Sequence, residues 1–259
     1  MTIMADDDQP SDRHILRELG FTLARDGDHM HGRAEIRPEM WAPGTASLRT
    51  SILATWTDHA AGLLAVDVLG PRVPVTLELD VHLYQPAPAR GTIHAVARAL
   101  KAGRSVTVLT VDFTDGDGEP IAMGTGSFMA APDPGLTMPP EATRMALDPT
   151  PVPLLQVPLA ERAGCERRAP GIAAVPRTDE GLNSSQTLNG GLVALVVEEA
   201  ALSLSPGATL SSMAMRYLRP VRIGPAVATA DVHTGLGRVE VHDAGAPDRL
   251  AVVAVTRTF

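Results

Sequence analysis

Apolar residues in this chain fall into two kinds of pattern. Two stretches are apolar almost all round: "TSILATWTDHAAGLLAVDV" at residues 50–68 and "NGGLVALVVEEAAL" at 189–202. The first is too long for a buried strand and holds no proline until Pro71, which predicts a buried helix. The second opens on Asn189-Gly190-Gly191 and predicts another. Elsewhere the period is two. In "VPVTLELDVHLYQP", Val75, Leu77, Leu79, Val81 and Leu83 alternate with Thr76, Glu78, Asp80, His82 and Tyr84, which is the mark of a half-buried strand. Three more strands are expected before residue 130, turning at Lys101-Ala102-Gly103 and at Asp115-Gly116-Asp117-Gly118. β-like segments precede each helix, and the prolines of residues 131–156 mark a linker without regular structure.

The two halves carry the same features in the same order. Shifted by 140 residues, Leu48–Leu53 lies over Leu188–Val193 and Asp58 over Glu198. Further on, "HLYQPA" (82–87) matches "RYLRPV" (216–221), and "AGRSVTV" (102–108) matches "LGRVEVH" (236–242), with Arg104 over Arg238. The expected organisation is an acidic tail (1–12), a first unit (13–130), the linker (131–156) and a second unit (157–259). A single apolar helix beside an antiparallel sheet can bury itself only if the sheet wraps it, so each unit is expected to be α+β.

Composition narrows the function. A formal charge of −8 argues against a nucleic-acid partner. The single cysteine excludes an internal disulfide, and no cysteine or histidine spacing suggests a metal. The N-terminus lacks the basic-then-apolar layout of a signal peptide, and no run was read as crossing a bilayer, so the expected location is the cytoplasm, with no membrane partner. With aromatics at 3%, the interior must be aliphatic, which leans toward an aliphatic acyl ligand.

The order of helix and strands, the Gly-Gly helix start and the following acid resemble the hotdog fold, and within it the acyl-CoA thioesterases of the PaaI kind. Two units in one chain look like a tandem (double) hotdog that forms an intrachain pseudo-dimer. In that family the helix begins at His-Gly-Gly, with an acid seven positions after the second glycine and often an asparagine six positions before the histidine. The second unit has Asn189-Gly190-Gly191, Glu198 and Asn183 at those places, with asparagine replacing histidine. The first has Arg49-Thr50-Ser51 and Pro43, but keeps Asp58 and adds Thr76 where the family places a site hydroxyl; Leu210 stands at the equivalent place in the second unit.

What the resemblance implies is one composite site: Asn183, Asn189, Gly190 and Gly191 from the second unit, Asp58 and Thr76 from the first. The reverse pairing of Arg49, Thr50 and Glu198 would be a degenerate second site. Arg104 and Arg238 would meet the nucleotide end of coenzyme A. The implied reaction is hydrolysis of an acyl-CoA or related acyl thioester without a cofactor. A backbone N–H at the helix start would polarise the carbonyl. Asp58 would serve as general base or as nucleophile, and Thr76 would orient water or the carboxylate. The alternative is a non-catalytic acyl-binding or scaffold protein. A hydratase is a weaker match, since Asp26 and His31 have the right spacing but precede the helix.

Plainer roles compete at several positions. Asn183 and Asn189 are good capping residues, Gly190-Gly191 can serve packing alone, and Thr76 is a common strand former. A carboxylate within an apolar helix costs several kcal/mol to bury unpartnered, which sets Asp58 apart. Glu199 is expected in solvent and His59 as a solvated or packing histidine. Further association of chains through sheet edges is left open.

Overall fold

The computed structural model describes residues 14–103, 105–139, 143–144, 146–148, 152–246 and 249–259. One antiparallel sheet of twelve strands dominates it: β1 (Thr22–Asp26), β2 (His29–Ile36), β3 (Pro74–Leu83), β4 (Gly91–Ala102), β5 (Thr107–Asp115), β6 (Pro120–Ala130), β7 (Glu166–Ala169), β8 (Ile172–Val175), β9 (Leu210–Tyr217), β10 (Ala226–His233), β11 (Leu236–Asp243) and β12 (Leu250–Thr258). Their spatial order is β1-β2-β4-β5-β6-β3-β9-β12-β11-β10-β8-β7. From the centre outward the two halves repeat one another: β3 beside β9, β6 beside β3 as β12 is beside β9, and so to the hairpins β1–β2 and β7–β8. The seam is β3 (Pro74–Leu83) against β9 (Leu210–Tyr217), with Asp80 opposite Ala214. Arg216 of β9 reaches Asp80 and Glu78 of β3 across it.

Two long helices pack on the sheet. Helix α1 (Thr50–Leu69) packs on β2 to β6, and α2 (Gly190–Ser203) packs on β7, β8, β10 and β11. The helices also pack on each other. By length and hydropathy α1 would reach across a bilayer, but 61% of that stretch is buried against the sheet and α2. Its all-round apolarity is thus explained by neighbours on every side.

Two details differ from the sequence pattern. The linker is not devoid of structure. Thr143, Arg144 and Ala146 are helical, and Leu155 is buried with its N–H donating to Glu18 O. Arg104 lies outside the described residues. Its proposed counterpart Arg238 lies in β11 (Leu236–Asp243), opposite Asp231, three residues past the Thr234-Gly235 turn. The alternation in β3 is also broken. Thr76 lies opposite Phe128 and Glu78 opposite Ser127 on β6, which leaves Leu77 as an extra residue. This bulge flips the side-chain parity. Thr76 therefore turns inward with Leu79 and Val81, although simple alternation grouped it with Glu78. β9 has the same bulge at Ser211, between Leu210 and Ser212, so Leu210 faces inward as the counterpart of Thr76.

Candidate active site

The N-terminus of α2 is built by Asn189. Its backbone is extended (φ −61°, ψ 141°) and its Oδ1 accepts the Gly191 N–H at 2.8 Å, the usual N-cap arrangement. Leu192 and Val193 donate to Asn189 O. That leaves the Gly190 N–H as the one first-turn donor without a partner among the described residues, and Gly190 retains accessible surface. Such a donor, at the positive end of the helix dipole, is an anion or oxyanion subsite in search of an acceptor.

Asp58 of α1 faces it. A methyl group built on Gly190 would sit 3.2 Å from Asp58 Oδ2 and 3.2 Å from Tyr217 Oη, so the absence of a side chain there leaves open the space between them. Thr76 Oγ1 donates to Asp58 Oδ1 at 2.8 Å, which fixes the carboxylate and leaves Oδ2 turned to the glycine. Asp58 keeps some contact with solvent, but protein surrounds it. Burial pushes its pKa up to about 6, while the Thr76 hydrogen bond pulls the other way.

Tyr217, near the end of β9, is a member of this cluster that the sequence patterns did not single out. Its hydroxyl donates to Gly190 O at 3.1 Å. Burial, and then the charge of Asp58, raise its pKa well above the ordinary value, so it stays a neutral phenol. The available signal was its place on the inward face with Met213 and Met215, as one of only two tyrosines in the chain.

The other expected residues are placed as follows. Asn189 Nδ2 has no partner among the described residues and remains a donor. Asn183 builds a turn: its Oδ1 accepts from Ser185 N–H, Thr187 N–H and Thr187 Oγ1, and none of its hydrogen bonds reaches Asp58 or Gly190. Gly191 is buried, and a Cβ there would collide with Thr55 Oγ1 and lie 3.0 Å from Leu16 Cδ1, so this glycine serves close packing. Arg238 is exposed and ion-paired to Glu240. Among the described residues, no group of His, Cys, Asp and Glu is gathered as metal ligands would be.

At the mirrored position the same elements are sealed. Glu198 is one methylene longer than Asp58 and reaches the start of α1, where Oε1 accepts the Thr50 N–H at 2.9 Å and Oε2 accepts Ser51 Oγ at 2.6 Å. Arg49, at the N-cap position, lies 3.2 Å from Glu198 and 2.6 Å from Glu199. Arg167 completes the network at 2.6 Å from Glu199. Arg49, Thr50, Ser51 and Glu198 are each 2% exposed or less. Glu199, expected in solvent, is 4% exposed, because two arginines pair with it. Thr50 Oγ1 donates to Leu210 O, so even that hydroxyl is spent on structure.

Residues 51–122, which include Asp58 and Thr76, match the family model of the thioesterase superfamily. Solved structures share the architecture over most of the chain. The 12:0-ACP thioesterase from Umbellularia californica superposes with a TM-score of 0.64 at 16% identity, covering 91% of this chain and 99% of its own. An acyl-ACP thioesterase from Bacteroides thetaiotaomicron gives 0.63 at 13%, covering 90% and 98%. The tesB protein of Mycobacterium avium subs paratuberculosis gives 0.60 at 17%, covering 95% and 97%. A search of curated proteins found no match. The fold is that of the hotdog thioesterases, as the sequence resemblance implied.

Proposed function

We propose that the chain is a tandem hotdog, with units at 13–130 and 157–259, that hydrolyses an acyl thioester at one composite site between them. The substrate is an acyl-CoA or a related acyl thioester; the solved relatives named for acyl-ACP widen the class to carrier-protein thioesters. The observation that carries this reading is the unpartnered Gly190 N–H beside an Asp58 carboxylate held by Thr76. It supplies both requirements of thioester hydrolysis, a donor for the carbonyl oxygen and a base for water.

In this mechanism the Asp58 carboxylate takes a proton from water as the water oxygen attacks the carbonyl carbon. The carbonyl π pair moves to oxygen, where Gly190 N–H and the helix dipole stabilise it. Collapse re-forms the carbonyl and expels the thiolate, which takes up the proton that Asp58 had accepted. The products are a carboxylic acid and a thiol. Attack by Asp58 itself to form an anhydride would use the same geometry. Tyr217, bonded to Gly190 O, holds the first turn of α2 in place.

Incubation with acetyl-, hexanoyl- and palmitoyl-CoA, with a thiol reagent to detect released coenzyme A, tests the proposal. Turnover should be present in the native chain and fall at least about a hundredfold in Asp58→Asn, as expected for losing a general base. Binding without turnover in the native chain would instead favour an acyl-binding protein.

A further inference from the structure

His59 follows Asp58 on α1 and, like it, is partly accessible. The ring makes no hydrogen bond to any described residue, yet neither nitrogen is among the polar atoms sealed away unpartnered. Both therefore open onto space that water can reach. One side is packed by Phe21, whose ring centre is 6.3 Å away, and Phe21 in turn stacks on Trp56.

The mirrored half shows what this position faces. His59 is nine residues past the start of α1, and Glu199 is nine past the start of α2. Glu199 reaches Arg49, the N-cap of α1, at 2.6 Å. The repeated strand order then sets His59 across from Asn189, the N-cap of α2. The segment that bears on His59 also reaches the start of α2. His14 Nε2 lies 3.0 Å from Leu182 O, and Leu182 is bridged to Leu188, next to Asn189. The charges of His14 and Arg17 are both felt at His59. Where the sealed half fills this space with an ion pair, the open half puts an unpartnered imidazole and an unpartnered amide.

From this, resting on the hydrolase reading, we infer that His59 is a hydrogen-bond donor to the thioester group in the composite site. Its N–H comes from the opposite unit to the Gly190 N–H, so the scissile group is gripped from both helices. Burial, then the positive charges of His14 and Arg17, push its pKa down to about 4. The imidazole is therefore neutral at working pH, and it donates one N–H without moving a proton. The charged and titratable groups felt at His59 are His14 and Arg17, and Asp58 precedes it on the helix. Asp58, not His59, then sets the acid limb of the rate profile.

The experiment compares His59→Leu, which removes the donor, with His59→Gln, which keeps one. With hexanoyl-CoA, His59→Leu should lower kcat about tenfold, the worth of one hydrogen bond made to the reacting group, while KM changes little. His59→Gln should restore most of the loss, and the midpoint of the acid limb should stay near that of the native chain. Equal losses in both variants, or a limb that moves with His59, would overturn the inference. Binding gives a second readout that turnover does not control. Among the eight histidines, the imidazole resonance missing in His59→Gln is that of His59. It should shift when S-hexyl-coenzyme A, a non-hydrolysable thioether, is added. Binding of this probe with an unmoved His59 resonance overturns the inference even if hydrolysis is found. A shifted resonance with no turnover of any acyl-CoA overturns the hydrolase reading alone, and absence of both binding and turnover overturns the two together.

Discussion

One methylene separates the two acids that the internal repeat aligns. Glu198 is long enough to take up the free N–H groups of the opposite helix and is neutralised by Arg49; Asp58 is too short, and the N–H it faces stays free. The position of Asp58 was legible in the sequence because a lone carboxylate in an apolar helix is costly. The inward turn of Thr76 was not, since it depends on a bulge that alternation cannot reveal. Glu199 was misjudged for a similar reason, because its partners Arg49 and Arg167 are 150 and 32 residues away in the chain. The pair Asp58–Thr76 makes two predictions. As a base Asp58 must be ionised, so kcat/KM should rise with pH through about 6. The Thr76 hydrogen bond lowers that pKa, so Thr76→Val should move the limb to higher pH, as a rate profile would show. The raised pKa also bears on stability. The folded state holds this proton more tightly than the unfolded chain, so the cost is absent below about pH 4 and complete above about pH 6. From the ordinary value of 3.8 to about 6 the ionised carboxylate costs the fold about 3 kcal/mol. Asp58→Asn should therefore melt higher than the native chain at pH 7, and the gap should close as the pH falls toward 4.

The two glycines that open α2 look alike in the sequence and do different things in the structure. Both are helical, neither has a positive φ, and alanine is the better helix former at both places. The atoms nearest a Cβ on Gly190 are Asp58 Oδ2, Tyr217 Oη and the tyrosine ring carbon, at 3.2 to 3.6 Å. On Gly191 it runs into Thr55 of α1, which is buried and donates to Ser51 O. Gly190→Ala should thus keep the fold within about 1 kcal/mol, yet lower kcat/KM at least about tenfold by filling the space over the free N–H. Gly191→Ala should lose about 1–3 kcal/mol by overpacking the contact between the helices. Urea unfolding measured alongside turnover separates the two, and equal stability losses would assign both glycines to packing. Helix positions and the order of elements were readable from periodicity, because each follows from a face that must be buried; that the β-like segment before each helix is a two-stranded hairpin was not. Side-chain partners across the seam were not, because they follow from register.

The chain as a whole has turned two equivalent positions into two different ones. Its strand order is the same read from either edge, and its bulges recur at Leu77 and Ser211, so the backbone sets a helix start against an acid of the opposite helix twice. Side chains alone break the equivalence. Arg49, Ser51, Glu198, Glu199 and Arg167 seal one position with a buried network, whereas at the other Asp58, held by Thr76, faces a Gly190 N–H without a partner among the described residues. Such a network adds little over apolar packing while intact, but removing one member strands a buried charge. Arg49→Met should accordingly cost about 3–5 kcal/mol in urea unfolding without abolishing turnover, because no part of the open site touches Arg49. A closed second pocket also fixes how many ligands a chain can hold. Calorimetric titration with S-hexyl-coenzyme A should give one site per chain, in the native protein and in Asp58→Asn alike. Two sites per chain would mean that the Arg49–Glu198 pair opens to admit ligand, and that closure of the mirrored pocket is a state the chain can leave.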